Sequence, residues 1–180
     1  MKISSTAHGL SNGTVVYIDS VGGMTELNER AFVIANVATD SFELKGVDGT
    51  GYTAYTSGGT ATPKTMTEVA RVQSTSLFGG ETARIDVTDQ RARRKRYLTD
   101  IPDSGDGSLS LFFDPADAGQ ARLRVLKGST AKEAFTATMP SGAAAAFMAQ
   151  VLSFPVATGV GSAITTQVGL LIDNEEAWYA

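Results

Sequence analysis

A chain of 180 residues with 42% apolar content can bury one large core or two small ones. It has no cysteine, which excludes disulfides, zinc–thiolate sites and thiol nucleophiles, and its single histidine, His8, gives no basis for a His-rich metal centre. Fifteen Lys and Arg against nineteen Asp and Glu leave a net charge of −4, which argues mildly against a dedicated nucleic-acid binder.

The opening, MKISSTAHGL, lacks the apolar stretch of a secretory leader. No later run approaches the ~20 apolar residues that a spanning helix needs, so no membrane association is expected. Residues 1–62 read as a small β module. Val15–Asp19, Phe32–Val37, Phe42–Leu44 and Tyr52–Thr56 are β-branched or aromatic runs, separated by the turn signals SNG, GG and DGTG. A unit this small without disulfides is marginal, so the module is expected to lean on the rest of the chain or on a neighbour. The stretch 57–66, SGGTATPKTM, reads as a linker.

Residues 63–180 form the second expected unit. Strands are expected over Thr67–Phe78 and Thr82–Thr88, divided by Gly79-Gly80. Residues 89–107 are turn-rich and charged, and a loop of this length in a compact domain is commonly functional. A short strand over Ser108–Phe113 leads into one helix from about Asp114 to Lys127. Asp114 is the expected N-cap, Pro115 sits at N1, and Gly128 supplies a left-handed stop. Ala118, Ala121 and Val125, with Leu126 beside them, form its expected apolar stripe. Lys132–Met139 follows as a strand. Ala143–Val156 has helix propensity, but its flanking turns favour a strand. Ala163–Ile172 closes the series, and DNEEAWYA ends in Trp178 and Tyr179.

No set of catalytic residues emerges. His8, followed by Gly9, reads as a turn or packing histidine. Asp100, Asp103 and Asp106 lack the alternating ligands and closing Glu of a calcium loop. No phosphate-binding loop and no nucleophile elbow is present. No enzymatic activity, metal or cofactor is expected.

The charge layout is more informative. Residues 65–180 hold 11 bases and 13 acids, and five of those bases fall in one run: Arg91, Arg93, Arg94, Lys95 and Arg96. Tyr97 follows without the aromatic interleaving of a base-stacking surface. A basic loop on an acidic body suits head-to-tail docking onto the next copy. These residues, with Tyr97 and Trp178, are the candidate subunit or ring contacts.

Two resemblances follow. In HGLSNGTVVYIDSVGGMTELNERAFVI, residues His8, Gly9, Gly13, Val16, Ile18, Gly23, Met24, Glu26, Leu27 and Asn28 match a pattern of the first catalytic-cysteine half-domain of ubiquitin-activating enzymes. The stretch is also similar to a module of phage structural proteins. The resemblance implies a small β-barrel; with no cysteine in the chain, ubiquitin chemistry does not carry over. Residues 69–89 (VARVQSTSLFGGETARIDVTD), 108–123 (SLSLFFDPADAGQARL) and the closing strands through Leu171 resemble the tail tube proteins of long non-contractile phage tails.

That resemblance implies a mainly β fold, a β-sandwich or barrel flanked by one α-helix and here preceded by the small β-barrel module. It implies six copies in a ring and rings stacked into a tube, with DNA passing through the lumen without specific binding. The loop 89–107 is expected to reach a neighbouring subunit or ring. The expected partners are other copies and other tail proteins, and the expected location is the virion tail after assembly in the host cytoplasm. The module, which has little room in a lumen or ring contact, is expected on the tube's outer surface. The alternative is a tail or tail-tip accessory that binds the host surface through this module.

Overall fold

The alternation in Val15-Val16-Tyr17-Ile18 sends Val16 and Ile18 to one side of a strand and Val15 and Tyr17 to the other, and both sides are used. A computed structural model describes residues 1–91, 93–102 and 104–180. Five strands form a first antiparallel sheet: β1 (Lys2–Ser4), β2 (Val15–Gly22), β3 (Arg30–Ala38), β4 (Ser41–Leu44) and β5 (Ser57–Lys64), in the order β1-β4-β3-β2-β5. Val16, Ile18, Phe32, Ile34, Phe42 and Leu44 fill its core, with Leu27 from a short 3-10 turn.

A second sheet holds β6 (Val72–Ser76), β9 (Asp106–Phe112), β10 (Glu133–Thr138), β11 (Ala144–Ser153) and β13 (Thr165–Tyr179). Their order is β10-β11-β13-β9-β6, and the short β12 (Val156–Ala157) pairs with β13. Phe147, Ala149 and Val151 of β11 join Val168, Leu170 and Ile172 of β13 in its core. The opposite face of β11 carries Ala146 and Met148, which pack on Val15, Ala31 and Val33 of the first sheet. β11 is therefore buried on both faces. That explains its unbroken apolar run and its ambiguity by pattern alone; its alanines let the two sheets approach closely.

β13 joins both cores. Ala146 faces Ala177 and Met148 faces Asp173, so β13 holds two extra residues between these pairs. Asn174 takes φ +62° there, a conformation Asn tolerates. Beyond this bulge, Ala177 enters the first core.

Helix α1 (Ala118–Leu126) is shorter than expected. Asp117, not Asp114, is the N-cap: its carboxylate accepts from Gln120 N at 2.7 Å. Asp114 instead accepts from Ala116 N and from Arg71 Nε. The last turn closes on bonds from Gly128 and Ser129 to Val125 and Leu126, without a left-handed Gly128. The buried stripe is Gly119, Gln120 and Leu123, one position round from that expected, and Val125 is 77% exposed.

Other segments depart from the sequence reading. The expected linker is β5, an exposed edge strand held by backbone pairing to β2. The expected strand at Tyr52–Thr56 is irregular, its Thr53 bonded to Glu26. The excursion 89–107 contains β8 (Tyr97–Pro102), which pairs with β7 (Thr82–Asp86) as a separate two-stranded sheet.

Candidate assembly surface

β7 and β8 form a hairpin outside both larger sheets. Ile85 pairs with Leu98, Asp86 with Tyr97, and Arg84 with Thr99. Cross-strand partners share a face, so Ile85 and Leu98 lie together, with Val87 two residues on. The opposite face carries Arg84, Asp86, Tyr97 and Thr99. Ile85, Val87, Tyr97, Leu98 and Ile101 are all exposed, Leu98 at 59% and Ile101 at 84%. An isolated two-stranded hairpin is at best marginally stable in water.

Local bonds organise the hairpin tip. Val87 N donates to Arg96 O at 2.9 Å, and Arg96 N donates to Thr88 Oγ1 at 3.0 Å. The Thr88 hydroxyl and N–H both donate to Asp86, holding that carboxyl below its usual range. Arg91, Arg93, Arg94, Lys95 and Arg96 are all exposed around the tip, and Lys95 approaches Asp86 at 4.0 Å. The sequence-predicted contacts other than Trp178 are thus brought together on one arm.

The arm has a defined mount. A Cβ on Gly105 would lie 2.6 Å from Gly80 N, so the outgoing and returning chains cross at backbone contact. Phe78 precedes the crossing with φ +62°, a conformation that costs a bulky residue roughly 1–3 kcal/mol. Its ring stands edge-on to Phe147 at 5.1 Å and Trp178 at 5.3 Å. Trp178 is therefore set at the root of the arm, half-exposed, with Nε1 donating to Glu176 Oε1.

Several residues outside the expected set position this surface. Gln120 is fully buried: its Oε1 accepts from Asp114 N, and its Nε2 donates to the carbonyls of Ala70 and Phe112. It fixes α1 against the strands on either side of the arm. The D-x-x-Q spacing from Asp117 is its one sequence signal. Arg30, also buried, donates to the carbonyls of Glu26 and Glu176 and pairs with Glu175 at 3.4 Å. Lys132 meets Asp173 at 2.8 Å, which raises the lysine's pKa. Burial, with Asp19 and Glu29 nearby, raises that of Tyr17.

The remaining candidates are local. His8 lies edge-on to Phe42, bonds to Ala38 O through Nε2 and accepts from Leu10 N, the packing role expected of it. Asp100 accepts from Ile101 N. Asp103 lies outside the described residues.

Residues 48–178 match the family model described as lambda phage tail tube protein, TTP. The chain belongs to that family. This lambda tail tube family member is accordingly a structural protein of the virion tail, not an enzyme. Residues 2–64 match the model of the ubiquitin-activating enzyme E1 FCCH domain, in agreement with the N-terminal resemblance. No curated protein sequence matches the chain.

Among solved structures, the chain is similar to one from the virion of a native gene transfer agent particle. Identity is 15%, with 62% of this chain and 86% of that chain covered, at a TM-score of 0.49. A chain from the tail of an empty gene transfer agent particle, refined with C6 symmetry, gives 14% identity, 66% and 87% coverage, and 0.47. The SPP1 tail tube gives 16%, 67% and 70%, and 0.45.

Proposed function

We propose that this tail tube subunit assembles into six-membered rings that stack into a tube and that DNA passes through the lumen during delivery. The carrying observation is the β7–β8 arm. It exposes apolar side chains on both faces, and its strands pair only with each other among the described strands. Its basic tip and an otherwise acidic chain are suited to contact between copies, and we propose Arg91, Arg93, Arg94, Lys95, Arg96 and Tyr97 as the contacts. Trp178 serves at the root of the arm.

The sheet supplies a surface fit for a channel. Ser108 and Ser110 of β9 pair with Gly169 and Gln167 of β13 and share one face, on which Gln167 is exposed and the other three are half-buried. Strands β6, β9 and β13 contain no Lys or Arg. Phosphates are held mainly by Lys and Arg, so a lining without them lets DNA slide. The N-terminal sheet packs on Ala146 and Met148, at the end of this same face away from Gln167 and Ser110, and we place residues 1–62 outside the channel as a module on the body 63–180.

Electron microscopy of concentrated protein and of virions tests this reading. Six-fold rings and tubes of stacked rings are the expected result. A protein that stays monomeric at every concentration and is absent from the tail shaft of virions overturns it.

A further inference from the structure

Beyond the bulge at Asn174, the end of β13 lies between the N-terminal module and the root of the arm. Ala144, Ala145 and Ala146 of β11 pair there with Tyr179, Trp178 and Ala177. Side chains alternate along a strand, so Ala177 and Trp178 point to opposite faces. Ala177 enters the core of the first sheet, and the Trp178 ring meets Phe78 at 5.3 Å. One short segment thus touches the module with one face and the arm's root with the other.

The module grips this segment from its own side. Buried Arg30 donates to Glu176 O at 3.3 Å and pairs with Glu175 at 3.4 Å. The turn after β4 lies directly on the segment's backbone: a Cβ at Gly46 would collide with Trp178 O and stand 3.1 Å from Tyr179 Cα. Lys45 Nζ lies 5.1 Å from the centre of the Tyr179 ring. Within the segment, Trp178 Nε1 donates to Glu176 Oε1 at 3.1 Å, which orients the indole.

The arm needs such a hold. Its strands pair only with each other among the described strands, so its direction is set at its root. The Gly80–Gly105 crossing and the bond from Ile172 N to Gly105 O fix where the two chains pass. Glycine at the crossing still leaves the backbone free to swing. Phe78, just before Gly79, is the side chain that resists this, wedged against the rings of Phe147 and Trp178. A bulky residue at positive φ persists only where its surroundings over-determine it. Phe147 belongs to the second core, and Trp178 is the part of the enclosure that the module controls.

We infer that the N-terminal module is the mount of the arm. It holds residues 175–179 so that Trp178, a positioning residue, fixes Phe78 and with it the direction in which β7 and β8 leave the body. Loss of the hold lets the arm swing while both large sheets stay folded, a local opening rather than a global one. The use of that fixed direction in assembly rests on the tube-subunit reading; the mount itself does not.

The chain has no native cysteine, so spin labels attach only where they are placed. Thr60→Cys on β5 and Thr99→Cys on β8 are both exposed, and dipolar spectroscopy of the doubly labelled monomer reads the distance from module to arm. A single narrow distribution is expected in the otherwise wild-type chain. Trp178→Ala should lose it with the monomer's melting curve unchanged. Trp178→Phe should keep it, because a second ring restores the edge-on contact. Gly46→Ala, which alters no residue of the arm, should lose it as well, and Trp178→Ala keeps the test decisive if Gly46→Ala does not fold. A broad distribution in the wild type, or a narrow one in folded Trp178→Ala, overturns the inference. A narrow distribution in folded Gly46→Ala overturns the module's part in it. In assembly, Trp178→Ala should raise the concentration needed for tubes by about fivefold, because only the fraction of arms pointing the right way can engage. Tubes of Trp178→Ala at the wild-type concentration overturn the use of the mount in assembly. A wild-type protein that forms no tubes removes the tube-subunit reading, and the monomer distances still decide the mount.

Discussion

Arg30 donates to the carbonyl oxygen of Glu176 across 146 residues of sequence, tying the first sheet to the far end of β13. The N-terminal module is therefore part of the body it precedes. Arg30→Met should lower stability by about 1–3 kcal/mol, the usual cost of leaving buried acceptors unpaired. Calorimetry should show one cooperative transition for the whole chain. Removal of residues 1–61 should give an aggregating product, because Ala146, Met148 and Ala177 lose their cover. A soluble, cooperatively folded truncation would show the module to be dispensable for folding.

Helix α1 gives an inverted response to a helix-favouring change. Ala is better than Gly in a helix interior by about 1 kcal/mol. At Gly119, however, a Cβ would lie 2.2 Å from Glu68 O and 2.7 Å from Val69 Cα. Gly119→Ala should therefore destabilise by about 1–3 kcal/mol through overpacking. Leu123→Ala should cost about 2–5 kcal/mol, while Val125→Asp should fall within about 0.5 kcal/mol of wild type. Denaturant melts of the three variants check the helix orientation, and a severe loss at Val125 would contradict it.

Charge at the arm's tip should act on assembly and spare the fold. Reversing Arg93, Arg94 and Arg96 to Glu leaves exposed side chains exposed, so the melting temperature of the monomer should hold. Sedimentation should show loss of self-association, and wild-type assembly should weaken as salt rises, because exposed charges are screened beyond about 10 Å at 0.1 M. Unchanged sedimentation of the triple variant would remove the tip from the contact.

The channel assignment has its own test. Gln167→Arg combined with Ser110→Arg should allow tubes to form while adding a basic band to the face they share on β9 and β13. DNA release from particles built with this variant should slow, most visibly at low salt. Release at the wild-type rate would place another face toward the lumen.

Alkaline pH should loosen the contact between the sheets. Lys132, bonded to Asp173, and Tyr17, shielded from water and close to Asp19 and Glu29, both have pKa values above normal in the folded protein. Their contribution is complete below the ordinary tyrosine and lysine values of about 10–10.4 and is lost as pH rises through the folded ones. Thermal melts between pH 9 and 11.5 should show a fall in stability that is smaller in Tyr17→Phe and Lys132→Met. An equal fall in all three proteins would place the alkaline sensitivity elsewhere.

The parts of the fold legible in the sequence are those where one side chain pattern meets one environment. β-branched and apolar runs between turn signals announced β2, β3 and the first part of β13, and the stretch before Gly128 announced the helix. The failures have distinct physical causes. β5 has little apolar content because it is an exposed edge whose stability comes from backbone pairing to β2, so Gly, Thr and Pro read as linker. The cap moved from Asp114 to Asp117 because two acids compete there, and burial of Gln120 decides between them. β8 was hidden among charges because neither of its faces is covered within the subunit. The basic run was visible as a surface.

The passage of β13 through both cores also orders events during synthesis. Neither hydrophobic centre is complete until the ribosome has made β13, since the first awaits Ala177 and the second Val168 to Ile172. A nascent chain thus exposes its arm before it has a finished body to offer a neighbour. Products interrupted before β13 lack both centres at once and present themselves to proteases as unfolded chains, a built-in filter on what enters a repeating structure.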